Sequence, residues 1–404
     1  MSSPTPVATL RRNRNFQNLW VGQFLSDLGS AIGILAYPLL LLDLTRSTAL
    51  AGTVATLASL AAFVVRLPAG SLADRVDRRR TMVITDAVRA VVLLALAVAV
   101  ATHHVAWPVV LVVAIIDRLG DTIFNPTSTA ILPVIIEDSQ FETAVAANEG
   151  RQYAASMIGP ALGGALFSAA RAIPFVADAV SYGISTVTSL RLKGNFRAAE
   201  AEHHGLWRES IDSLRYLWSD RVLRIVITQA PLINFAFNGI VISLVFAMRK
   251  YGYSAGLVGL AQAGIMIGGL LGALLAPRLR GHFTLHQIVA IFTTIGTGLF
   301  VLSAVLAPTP WMALPIGASA ILAPTANAAL MGELLRRTPD EMRGRATNAV
   351  TQAAMALAVL APLAAGLALE HLSARAGVGI FAVAMAITAV IANASRAGRT
   401  PDPA

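Results

Sequence analysis

The sequence of 404 residues has no cysteine, and only 13% of it is charged. The first absence removes disulfides and thiolate metal centres from consideration. The second sets the chain apart from soluble domains, in which about a quarter of residues carry charge. Lysine is nearly absent as well: Lys193 and Lys250 are the only two, and neither follows a glycine. A Gly-x4-Gly-Lys-Ser/Thr phosphate loop is therefore ruled out, so ATP does not power the chain directly. The zinc pattern His-Glu-x2-His and the Gly-x-Ser-x-Gly nucleophile elbow are missing too, so neither an enzyme nor a metal or cofactor site is expected.

What is present is apolar: 56% of residues are hydrophobic. They fall in long runs near 16–42, 48–71, 81–101, 107–131, 142–169 and 173–191, and again near 222–247, 254–276, 284–307, 311–334, 346–369 and 376–394. Each run has about the 20 residues needed to cross a bilayer. The expectation is an all-α membrane protein of twelve transmembrane helices. Its organisation is a six-helix bundle over 1–191, a cytoplasmic linker over 192–221 and a second six-helix bundle over 222–404. Arg11, Arg12 and Arg14 precede the first run with no small-residue cleavage site, so that run is read as a span and not as a cleaved signal.

The net charge of +9 has two readings, nucleic acid or membrane topology. With the N-terminus inside, 22 of the 31 Lys and Arg fall in cytoplasmic segments and 5 in outer ones. That asymmetry places both termini in the cytoplasm and leaves no need for a nucleic acid partner. Arginine in place of lysine, with much alanine, suggests a GC-rich bacterial genome and hence the inner membrane. In the linker, Trp207, Ile211, Leu214 and Trp218 form one apolar helical stripe. It suits a helix lying on the membrane surface or one packed on the protein. The halves repeat faintly: Ile158–Gly164 recurs as Leu360–Gly366 and Phe124–Thr127 as Leu322–Thr325, at offsets near half the chain.

Several motifs carry a resemblance. The run Gly70-Ser71-Leu72-Ala73-Asp74-Arg75-Val76-Asp77-Arg78-Arg79-Arg80 follows the second span and closely resembles the loop 2–3 signature of the major facilitator superfamily. The second half reads Ala276-Pro277-Arg278-Leu279-Arg280-Gly281 there and lacks the aspartate. Gly159-Pro160-Ala161-Leu162-Gly163-Gly164 looks like the core of that family's antiporter motif, with Ala155 and Ala146 in place of its upstream glycines. Arg118-Leu119-Gly120 looks like its intramembrane arginine motif. Gln23-Phe24-Leu25-Ser26-Asp27-Leu28-Gly29 with Asn125-Pro126 most resembles the drug and siderophore exporter branch. The resemblance implies a twelve-helix secondary transporter that acts as a monomer on small lipophilic or amphipathic molecules. Gly70, Asp74, Arg75, Arg78 and Arg79 would hold the gate.

Charges inside hydrocarbon are costly and tend to be functional. Asp27 lies about twelve residues into the first span, roughly 18 Å deep. Asp117 and Asp121 are four apart in the fourth span and share a helix face, with Arg118 beside them. These three carboxylates are the expected proton-coupling groups. The competing reading is a permanent Asp–Arg pair that holds helices together. Asp86 and Arg89 look like a local structural pair, with Arg66 as a further partner for either group. Asp178, Glu149 and Arg151 stay open, and Glu333 is expected at the interface. Gln23, Tyr37, Asn234 and Asn238 are the expected substrate contacts, near Gln229, Phe235 and Phe237. An interhelical hydrogen-bonding role suits the amides equally well. Gly264, Gly268 and Gly272 make a close-packing face, and His103 and His104 a solvated outer loop. A proton-linked exporter is the leading expectation. A lipid or lysolipid flippase and a transport-inactive sensor or scaffold are the alternatives.

Overall fold

The computed structural model describes residues 10–73, 76–196, 215–279 and 284–397, and among them there is no strand. Asp74, Arg75 and most of the linker stripe, Trp207, Ile211 and Leu214, lie outside the described residues. The first half holds α1 (Arg14–Thr45), α2 (Thr48–Ala73), α3 (Arg78–Ala101), α4 (Trp107–Ile135), α5 (Phe141–Ala169) and α6 (Ile173–Leu190). The second holds α7 (Arg221–Lys250), α8 (Ala255–Leu279), α9 (Leu285–Leu306), α10 (Ala313–Arg337), α11 (Arg343–Met355), α12 (Ala361–His371) and α13 (Ala374–Ala397). A 3-10 turn at Ala358–Leu360 separates α11 from α12, and Arg343–His371 together is one membrane-length segment. Twelve segments result, six and six.

Nine of these segments among the described residues are long and apolar enough to cross a membrane. The other three are α4, α5 and α6. The first carries Asp117, Arg118 and Asp121, the second Arg151 beside small and polar residues, and the third Asp178 within only 18 residues. Their polarity has a location. On α3, Met82, Asp86, Arg89, Leu93 and Leu96 are buried, whereas Val91 is 67% exposed and Ile84, Val88, Leu94 and Val98 share its outward face. The pattern inverts that of a soluble helix: ionisable groups point inward and branched aliphatics outward, which is the stable arrangement when the surroundings are lipid.

The chain forms two compact units. One holds α1 as far as Tyr37 and the helices from Val64 to the end of the first half; the other holds Pro38–Phe63 with the second half. Each has its own apolar core at the end that carries the arginine-rich loops. In the first, Phe16, Leu19, Met82, Phe124, Leu132 and Phe196 cluster. In the second, Leu217, Leu223, Val226, Leu334 and Val350 do so from corresponding helix ends. Arg78 anchors the first cluster by donating to the Ala130 carbonyl at 3.0 Å, Arg79 donates to the Leu190 carbonyl, and Asp77 caps α3 at the Arg80 amide.

Within the second unit, the start of α2 is gripped by α12. Thr48 donates to Glu370 Oε2 from its amide and its hydroxyl, both at 2.8 Å, and the Ala49 amide donates at 3.3 Å. A Cβ on Gly52 would meet the Pro362 carbonyl oxygen at 2.3 Å, so the backbones touch. Asp43 pairs with Arg249 nearby. A carboxylate that takes three donors at a helix start acts as a cap supplied by another helix. Glu370→Ala should therefore cost about 1 kcal/mol, read as a lower melting temperature in detergent.

On α8, Gly268 and Gly272 do form the expected close-packing face. A Cβ there would stand 2.1 Å from the Gly317 carbonyl oxygen and 2.2 Å from that of Ile321 on α10. Gly264 differs, since a Cβ there meets nothing within 4 Å. Gly268→Ala and Gly272→Ala should each cost about 1–3 kcal/mol of stability by forcing backbones apart, while Gly264→Ala leaves the melting temperature unchanged.

Candidate functional site

The first unit encloses a cavity of about 230 Å³. Its walls come from α1, α3, α4 and α5, and Asp27, Asp117, Asp121, Arg89 and Arg118 all reach it. The three aspartates singled out by sequence are thus brought together, as is Tyr37.

Arg89 of α3 organises the site. It is 2% exposed and among the largest fully buried side chains. Its Nε donates to Asp117 Oδ1 at 2.8 Å, and its guanidinium carbon stands 3.8 Å from the centroid of the Tyr182 ring. Nη2 donates to the Tyr182 hydroxyl and, at 3.4 Å, to Ser30 Oγ. Tyr182 donates in turn to Asp117 Oδ1 at 3.2 Å, and the Tyr37 hydroxyl takes the other oxygen, Oδ2, at 3.3 Å. Asp117 is therefore fully engaged by three helices besides its own. Gly120, one turn along α4, makes room: a Cβ there would stand 2.6 Å from Arg89 Cδ. In the Arg118-Leu119-Gly120 motif, the glycine admits the guanidinium of a different helix.

The local Asp86–Arg89 pair expected from sequence is present, but the closer contact of Arg89 is with α4. Arg89 lies 3.9 Å from Asp86, its neighbour one turn away, because its long side chain reaches across to α4. Arg118 lines the cavity but forms no ion pair with Asp117 or Asp121 among the described residues. Arg66 is exposed and pairs with neither Asp86 nor Asp117. Asp121 is 3.9 Å from Arg89, accepts from Asn125 Nδ2 at 3.1 Å, and its side chain is 38% exposed.

Asp27 has a separate partner. Arg151 Nη1 of α5, 5% exposed, comes within 3.2 Å of Asp27 Oδ2. The two atoms are off the hydrogen-bonding line, and neither they nor Arg151 Nε have a hydrogen-bond partner. The pair is held by charge and not by a directed bond. The glycines of the antiporter-like motif permit the contact. A Cβ on Gly159 would stand 2.2 Å from that of Ala31, and one on Gly163 would stand 2.8 Å from the Ile32 carbonyl oxygen. Pro160 and Gly164 lie in the same stretch of α5, with Gly164 buried. The helices α1 and α5 meet there backbone to backbone.

Two further carboxylates are wholly buried. Among the described residues, both oxygens of Asp86 and Oδ2 of Asp178 have no hydrogen-bond partner. Asp27, Asp86, Asp117, Asp121 and Asp178 share the interior of the first unit with Arg89, Arg118 and Arg151 among the described residues. Anions left uncompensated in low dielectric are costly.

The remaining positions lie elsewhere. Gln23 is buried in α1. In α7, Asn234 and Asn238 each donate to the carbonyl four residues earlier, at 2.9 Å. Phe235 and Phe237 pack on Phe381 and Phe300 within the second unit. Gln229 is buried with neither side-chain polar atom bonded. Glu333 pairs with Arg336 and Arg337 at the end of α10, and Arg337 with Asp220. His103 and His104 are exposed in the turn after α3.

Residues 4–401 match the model of a family described as transmembrane secretion effector. The multidrug efflux pump Tap of Mycobacterium tuberculosis (strain ATCC 25618 / H37Rv) is 25% identical over 365 residues, 84% of this chain and 83% of that protein. The macrolide efflux protein A of Streptococcus pyogenes is 27% identical over 154 residues, 38% of each. Among solved structures, the nucleoside transporter NupG aligns at a TM-score of 0.74 with 15% identity, covering 96% of this chain and 100% of that one. A bacterial homologue of the iron transporter ferroportin aligns at 0.74 with 14% identity, covering 97% and 100%. At such identity the shared property is the twelve-helix fold. The family match runs almost end to end and agrees with six-plus-six helices that hide their charges, so this chain belongs to the transmembrane secretion effector family of major facilitator transporters.

Proposed function

We propose that the chain exports amphipathic small molecules, cations among them, by antiport against protons. The observation that carries this reading is the charge imbalance inside the first unit: Asp27, Asp117 and Asp121 line the cavity with Arg89 and Arg118, while Arg151, Asp86 and Asp178 are buried in the same unit without lining it. A site of that composition holds its surplus negative charge only with a proton or a cationic ligand in place, and exchanging the two is antiport. Asp27 is the coupling group, because its one partner is a misaligned arginine and its side chain is 26% exposed to the cavity. Asp121, more exposed and shared with Asn125, meets the ligand. Asp117, engaged by Arg89, Tyr182 and Tyr37, ties α3, α4 and α6 to α1. The names of the relatives, a multidrug pump and a macrolide efflux protein, support drug-like cargo.

In this reading the protein works as a monomer in a bacterial inner membrane with both termini in the cytoplasm, as the arginine distribution supports. Arg78 and Arg79 hold the cytoplasmic side of the first unit. Within the second unit, Asn234 and Asn238 are separate candidates for polar contacts with substrate.

The test is accumulation of ethidium in an efflux-deficient bacterial host. Expression of the chain should lower accumulation, and a protonophore should restore it. Unchanged accumulation across ethidium and a panel of uncharged amphipathic drugs would overturn the proposal.

A further inference from the structure

On the second unit, α9 and α13 leave between them a groove of about 290 Å³ whose lining is apolar apart from Thr297 and Arg375. Val301 and Val305 form one side, and Gly379, Ala382 and Ala386 the other. The groove exists because α13 places small residues there: a Cβ on Gly379 would meet nothing within 4 Å. From Arg375 to Ala386 is about 16 Å along a helix, close to half the thickness of a bilayer core, or one leaflet. Arg375 is exposed and makes no ion pair or hydrogen bond among the described residues. It stands in the first turn of α13, at the start of the last membrane-length apolar run, where a spanning helix meets the headgroup layer. Nearby Glu370 is already committed to the start of α2.

We propose that this groove is a binding site for an anionic phospholipid: one acyl chain lies along Gly379, Ala382 and Ala386, and the phosphate pairs with Arg375. By the distribution of arginines the lipid belongs to the outer leaflet. An unpartnered guanidinium above a dry, leaflet-deep cleft suits a negative headgroup joined to a hydrocarbon tail. The site is separate from the carboxylate cavity and does not depend on the transported substrate.

The test is native mass spectrometry of the full chain in detergent, titrated with phosphatidylglycerol or phosphatidylcholine. The wild type should retain phosphatidylglycerol about fivefold more strongly, the ratio that one basic residue near a headgroup supplies. Arg375→Gln should erase the preference while keeping weak binding of both lipids. Gly379→Leu, which grows into open space and leaves the fold intact, should reduce binding of both, and its melting temperature should no longer rise with added phosphatidylglycerol. Equal retention of phosphatidylglycerol by all three proteins would overturn the proposal. So would a dimer of the wild type that Gly379→Leu dissolves, since the groove would then seat a second copy of this chain.

Discussion

Arg89→Ala should leave little folded protein. The substitution strands Asp117 and Asp86 in the interior and removes the donor on which Tyr182 and Ser30 converge. Taking one member from a buried ion pair costs about 3–5 kcal/mol, because the other charge is left without compensation. For a helical unit of this size that corresponds to a fall of roughly ten degrees in melting temperature. Arg89→Lys should fail nearly as badly. An ammonium is a single point and cannot serve Asp117, Tyr182 and Ser30 at once, and it loses the stacking on the Tyr182 ring. The double variant Arg89→Gln/Asp117→Asn should recover part of the loss, since both charges leave together. Fluorescence-detected size exclusion with a thermal ramp reads all three. A stable, monodisperse Arg89→Ala would show that the interior does not depend on this guanidinium.

Asp27→Asn should fold and lose its coupling. The amide keeps the size of the carboxylate, so the contact of α1 with α5 at Gly159 and Gly163 survives. What it cannot do is gain or lose a proton opposite Arg151. In proteoliposomes with an imposed pH gradient, wild-type protein should accumulate substrate against its concentration gradient, and Asp27→Asn should only equilibrate it. A loss of at least about a hundredfold in gradient-driven flux, with downhill exchange retained, matches removal of a proton-transfer group. Asp27→Glu should keep partial activity. If Asp27→Asn keeps concentrative transport, Asp27 is a structural partner of Arg151 and the coupling lies elsewhere.

Much of the fold could be read in the sequence because lipid imposes a simple rule: every span must be long, apolar and helical. The twelve segments and the lipid-facing surface follow from it. The cavity carboxylates were legible for the same reason, since Asp27, Asp117 and Asp121 violate the rule. Their partners were not. Arg89 sits one turn from Asp86, and local spacing pairs the two; only the packing of α3 on α4, with Gly120 clearing the way, sends the guanidinium 28 positions along to Asp117. Arg151 and Tyr182 meet α1 across more than a hundred residues, and nothing in their own neighbourhoods announces it. The same holds for Pro38–Phe63, which packs with the second half through backbone contacts at Gly52 and Gly366 that leave no mark in composition.

In the proposed antiport, substrate and proton compete for one set of carboxylates in the first unit. Proton release on ligand binding tests it without transport or membranes. Purified protein in weakly buffered detergent solution is mixed with ethidium while pH is recorded. The wild type should release about one proton per bound cation near neutral pH, and Asp27→Asn none at equal occupancy. Ethidium binding with no proton released, or with the same release from Asp27→Asn, would contradict it.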